Sequence, residues 1–213
     1  MSQALVKNSV VLNTTSQTVY TVPVNKATVA KMFMSNLTSD ATAVSVTVKV
    51  NSTYIVKSID VFPGQTMMID IPVHLKYGDI VTALASKNNA CSIYISAIEY
   101  SNITNITNAM VSVTSNYTPV ITASSNCVAR LILSNTTTYP DVTMDVYYYV
   151  IVRNIGDNVI ASQIPLIQGT SELFDVGINL AVGDTLMVKT NAVVNSVNSQ
   201  ISAVDAFASI SIL

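Results

Sequence analysis

Two stretches of this chain carry one pattern at a fixed spacing, and that regularity constrains the fold more than any other feature. The first opens at Phe62 and runs through Pro63-Gly64 to Gly78-Asp79; the second opens at Ile167 and runs to Gly183-Asp184. Gly64 matches Gly169, Asp70 matches Asp175, Leu75 matches Leu180, and Gly78-Asp79 matches Gly183-Asp184, each pair 105 positions apart. A constant separation marks a duplicated unit. Each copy reads as a Gly turn, an alternating strand, a tight break, a short strand, and a Gly-Asp turn into the next strand. Val29–Asn36 also matches Val128–Asn135 at a separation of 99. The spacing grows to 105 because the second copy has six extra residues in the intervening hairpin, where a surface turn tolerates them.

The chain has 213 residues, enough for two domains of ordinary size, and the repeat divides it at residues 1–100 and 101–213. Val and Ile dominate the apolar positions, and nothing holds a 3.6-residue apolar period beyond one or two turns. Short strands with frequent turn signals predict an all-β protein of two tandem antiparallel β-sandwiches, Ig-like or jelly-roll.

In chain order, residues 1–8 read as an arm, and Val10–Leu12 and Thr18–Val22 as strands across a polar turn, the second ended by Pro23. Thr28–Asn36 looks buried on nearly both faces. Ala43–Val50 alternates cleanly, Val44, Val46, Val48 and Val50 facing inward, and Thr53–Ile59 follows. The repeated block supplies strands at Thr66–Ile71, Val73–Leu75 and Ile80–Ala85, and Cys91–Ile98 closes the unit. Ser101–Asn108 is low in complexity and reads as a short extended linker. The second half repeats the order, with Val142–Val152 its longest strand.

Composition excludes several classes. Half the residues are hydrophobic and 10% are charged, with a formal net charge of -2. Lys and Arg are scattered singly, so no basic patch for nucleic acid is expected. No apolar run reaches the roughly 18 residues of a spanning helix, and Met1–Asn8 lacks the features of a signal peptide, so neither membrane insertion nor export is expected. Cys91 and Cys127 fall one in each half and read as buried thiols rather than a disulfide.

Catalytic constellations are hard to assemble, and no enzyme is expected. The one histidine, His74, stands between Val73 and Leu75, and no Gly-x-Ser-x-Gly elbow exists. One His and two separated Cys cannot close a zinc shell, and the single glycines make no phosphate loop, so neither metal nor cofactor is expected. Asp70 and Asp175 read as strand-end hydrogen-bonding groups. Asp79 and Asp184, each after a glycine, read as turn residues that bond nearby amides. Tyr147-Tyr148-Tyr149 is the one aromatic cluster: Tyr148 belongs in the core, and Tyr147 and Tyr149 form a candidate protein-contact or glycan-stacking face.

The segment Val19-Tyr-Thr-Val-Pro23 through Lys31, followed by Ser35-Asn36, an alternating Val strand, Pro63-Gly64 and Tyr77-Gly-Asp79, resembles small β-sandwich structural proteins of tailed bacteriophages. The resemblance covers nearly all of the first half; in the second, Tyr117-Thr-Pro119 is what remains of the opening. It implies a non-enzymatic virion component made in the host cytoplasm, an accessory of the tail, neck, baseplate or fibre, or a protein decorating the capsid. Its implied partners are other virion proteins and copies of itself. A carbohydrate-binding or adhesin module that takes a host glycan is the rival reading. Scarce charge and outward Thr, Ser and Asn point toward lateral assembly.

Overall fold

The computed structural model describes residues 3–101, 106–136, 146–154, 156–166, 170–191 and 204–212, with the backbone alone at 70, 71 and 172–176. The described residues form sixteen strands and no helix. They fall into two compact units, Met1–Ser52 with Ser58–Asn108, and Thr53–Lys57 with Ala109–Leu213.

In the first half of the chain lie β1 (Gln3–Leu12), β2 (Gln17–Thr21), β3 (Ala27–Asn36), β4 (Val44–Val50), β5 (Thr53–Val61), β6 (Thr66–Leu75), β7 (Ile80–Ala85) and β8 (Cys91–Tyr100). They make two four-stranded sheets, β1-β8-β3-β6 and β2-β7-β4-β5. This is jelly-roll wiring, in which successive strands leave one sheet for the other except at the β4–β5 hairpin, so the Ig-like alternative is set aside. The second half holds β9 (Ile106–Val113), β10 (Thr118–Thr122), β11 (Cys127–Asn135), β12 (Val146–Arg153), β13 (Asp157–Leu166), β14 (Ser171–Leu180), β15 (Thr185–Thr190) and β16 (Val204–Ile212). Its sheets are β9-β16-β11-β14 and β10-β15-β12-β13, the first order with every strand number raised by eight.

Period-two patterning explains the cores. Val44, Val46, Val48 and Val50 of β4 are buried, while Ser45 and Lys49 between them are half-exposed. Met32, Met34, Ile93 and Ile95 fill the first sandwich, and Leu131, Leu133, Tyr148 and Val188 the second. Each such side chain contributes about 1.5–3 kcal/mol on burial.

Several sequence expectations change. Gln3–Asn8 is no arm, since it pairs with β8 from Gln3↔Tyr100 onward. The strands flanking the Asn13–Gln17 turn are not a pair, because β1 joins β8 and β2 joins β7 across the sandwich. Ile106–Asn108, read as linker, opens β9. β3 is buried on one face only: Lys31 is exposed, and Val29 and Phe33 are half-buried. Its match β11 is the strand whose outward positions near the end, Ile132 and Ser134, are fully buried. Gly169 and residues 142–145 lie outside the described residues.

The tight breaks at 72 and 177 are not strand ends but bulges inside β6 and β14. The register shifts between Ala30 and Met32, which sets Lys31 opposite 70–72; it shifts again between Ala129 and Leu131, which sets Arg130 opposite 175–177. A bulge on an edge strand tolerates Pro72, which has no N–H to give. At the matching position a side chain on Gly177 would bring its Cβ 2.5 Å from Val128 Cγ1. Gly177→Ala is therefore expected to lower stability by about 1–3 kcal/mol, the usual cost of overpacking. Thermal melts should show most of that loss recovered when Val128→Ala is added; an undiminished loss would place the cost in the backbone rather than in this contact.

Candidate functional site

The conspicuous polar constructions are the two Gly-Asp turns. Gly78 takes φ +81°, open to glycine without cost, and lets Asp79 N–H close on Lys76 O at 3.0 Å. The buried Asp79 carboxylate accepts from Lys76 N (2.9 Å), Asn51 Nδ2 (2.9 Å) and Asn108 Nδ2 (2.6 Å). Its carbonyl accepts from Val22 N at 3.0 Å, and Asn51 Oδ1 from Ile80 N at 3.0 Å. Asp79 thus ties the β4–β5 turn, the β6–β7 turn and the start of β9 through its carboxylate, and the residue after β2 through its carbonyl. Asp184 repeats the device after Gly183 (φ +89°), accepting from Ala181 N (2.9 Å) and Asn154 Nδ2 (2.6 Å), with Ala123 N on its carbonyl at 2.8 Å. It is half-exposed, and among the described residues its carboxylate has these two donors where Asp79 has three.

These turns hold structure together: each of the three donors on the Asp79 carboxylate comes from a different segment of the chain. His74 is buried in β6, and its carbonyl accepts from Asn108 Nδ2 at 2.8 Å. Among the described residues no three His, Cys, Asp or Glu side chains cluster as metal ligands. Gly64, at φ +70°, turns the chain from β5 into β6.

Tyr148 is core, as its alternation requires, and Tyr147 and Tyr149 are half-exposed on the opposite face. The register sets Lys189 opposite Tyr149, and its ammonium lies over the Tyr149 ring at 4.7 Å and the Tyr117 ring at 4.6 Å. Arg153 lies over Tyr117 at 5.6 Å and grips Asp157 through Nε (2.7 Å) and Nη2 (3.1 Å). The outcome is a cation–π ladder of the kind that stabilises exposed faces modestly. Sequence reasoning found Tyr149 but not Tyr117, Lys189 or Arg153, because only the β12–β15 register and the start of β10 bring them together.

A second surface feature is apolar. On the outer face of β1-β8-β3-β6, Phe33 and Tyr94 lie side by side with ring centroids 6.1 Å apart. Met68 and Leu5 are exposed nearby, and Leu5, Phe33, Pro72 and Ile98 line an open groove of about 340 Å³. In the second unit the matching face of β9-β16-β11-β14 is closed: Ile132 and Phe207 are both fully buried. On the edge strand β13, Val159 is 65% and Ile160 45% exposed.

No family model and no curated protein matches this chain. Among solved structures it is similar to the STIV MCP, a viral major capsid protein, at 12% identity and a TM-score of 0.30, over 99% of this chain and 96% of that one. It is also similar to tripeptidyl peptidase 2, at 13% identity and a TM-score of 0.26, over 97% of this chain and 22% of that one. At such scores neither likeness carries an argument about what the chain does.

Asp79→Ala should cost more stability than Asp184→Ala, about 1–3 kcal/mol for each buried donor left unpaired, and denaturant melts of the two variants measure the order. Burial pushes the Cys91 thiol from 9.0 up to about 11. Burial, opposed by the Thr28 hydroxyl and aided by the Glu99 carboxylate, pushes Tyr20 from 10.0 to about 12. The unfolded chain therefore releases both protons first as pH rises, so stability should be full below about pH 9 and decline through pH 12. Cys91 and Cys127, both buried free thiols, should resist alkylation in the folded chain and label fully after unfolding without reductant. A constant melting temperature from pH 8 to 12 would contradict the assignment.

Proposed function

We propose that this chain is a non-enzymatic structural protein of a virus particle that works by lateral assembly with copies of itself and other particle proteins. The observation that carries the reading is the open apolar face of β1-β8-β3-β6 beside edge strands that keep few charges to deter pairing. Jelly-roll domains recur in viral capsids and in lectins, and two in series favour a place in or on the shell over a tail, neck, baseplate or fibre. The bacteriophage origin that the resemblance implies belongs to the same reading. Scattered Lys and Arg weigh against a nucleic-acid partner, and no described helix is long and apolar enough to cross a membrane.

The glycan-binding alternative would need a bare aromatic platform. Lys189 stands over the Tyr149 and Tyr117 rings where a sugar would stack, which weighs against it.

Mass spectrometry and electron microscopy of purified particles test the proposal. The chain should be present in many copies, each in contact with neighbours over about 1,000 Å² or more per specific interface. Its absence from particles, or selective glycan binding abolished by Tyr149→Ala in the isolated chain, would overturn it.

A further inference from the structure

Within the second unit, one segment from early in the chain covers the outer sheet face. Tyr54 N–H donates to Asp205 Oδ2 at 3.2 Å, Lys57 N–H to Ser171 Oγ at 3.3 Å, and Ser134 Oγ to Tyr54 O at 3.0 Å. The receiving hydroxyls, Ser134 and Ser171, are themselves joined at 2.7 Å. Thr53, Ile55 and Val56 are buried in this position.

Both halves of that contact have counterparts that stand open. Ser58 and Gln163 share an unusual positive φ, +49° and +55°, 105 positions apart, so Thr53–Lys57 of β5 corresponds to residues 158–162 of β13. There the residues matching Tyr54 and Ile55 are the exposed Val159 and Ile160. On the receiving side, Ser35 and Thr66 match Ser134 and Ser171, and their hydroxyls are joined in the same way at 2.8 Å, on the surface. Phe33 and Tyr94 stand where the buried Ile132 and Phe207 stand in the second unit.

We infer that residues 158–162 of one copy dock on the Ser35–Thr66 face of a second copy, repeating the contact that Thr53–Lys57 makes inside the second unit. Ser35 Oγ would donate to the Val159 carbonyl and the Ser162 N–H to Thr66 Oγ1, while Ile160 enters the apolar surface around Phe33 and Met68. The contact joins unlike surfaces head to tail, so it closes a ring or extends as a filament. The inference rests on lateral assembly but is narrower, since a particle protein could assemble through other faces.

Two singly substituted full-length chains, Ser35→Cys and Val159→Cys, test it with a short bis-maleimide, applied to the free chains at high concentration and to purified particles carrying both substitutions. Cys91 and Cys127 are buried and do not compete. The expected product is a 35–159 cross-link when the two chains are mixed and none with either alone. Thr66→Cys in place of Ser35→Cys should give the same result should the first substitution disturb the hydroxyl pair. Ile160→Glu should cut the yield about tenfold or more, as loss of a buried apolar anchor does. Cross-links from one variant by itself at equal yield, or no product in either solution or particles, would overturn the docking. Particles that contain the chain yet give no 35–159 product would sink this contact and leave the particle role standing.

Discussion

Apolar side chains on the outer face of a sheet call for cover, and the two halves of the chain meet that requirement differently. Each sandwich covers one face of its sheets by pressing them together. The second unit covers the outer face of β9-β16-β11-β14 as well, with the β5 residues Thr53–Lys57 held by hydrogen bonds to Ser134, Ser171 and Asp205. The outer face of β1-β8-β3-β6 has the same hydroxyl pair and aromatic residues in the matching places, and it is open. Strands wired alike therefore differ in what remains exposed, and the proposed docking of a second copy rests on that difference.

The Gly-Asp turns explain why the wiring is stable enough to bear such a surface. Apart from the β4–β5 and β12–β13 hairpins, successive strands within each half lie in opposite sheets, so most turns span the sandwich rather than closing simple hairpins. Asp79 supplies in one carboxylate the acceptors that three converging segments need, and in its carbonyl the acceptor for a fourth, and it is buried where an unpaired donor would be costly. Asp184 does the same with two donors in a wetter place.

Much of this was legible in the sequence because it depends on local chemistry. The alternation Val44 to Val50 announces its own buried face, and Gly78-Asp79 and Gly183-Asp184 announce turns whose geometry glycine permits. Tyr148 follows from its neighbours. What could not be read was anything set by pairing partners far apart in the chain. The arm that became β1 has its partner at Tyr100, and the bulges at Pro72 and Gly177 look like strand ends until the opposite strand is known. β3 and β11 look alike as sequences, yet one is open and the other covered, because the covering segment lies some 80 residues upstream of Ser134. Lys189 over Tyr149 and Tyr117 was hidden for the same reason.

Hydroxyl-radical footprinting of the free chain and of the assembled particle tests the central claim most directly. In the free chain Phe33, Tyr94 and Met68 should be modified readily while Phe207 is protected; in the particle all four should be protected. Equal reactivity of Tyr94 and Phe207 in the free chain, or a Phe33–Tyr94 face as reactive in the particle as in solution, would contradict the account.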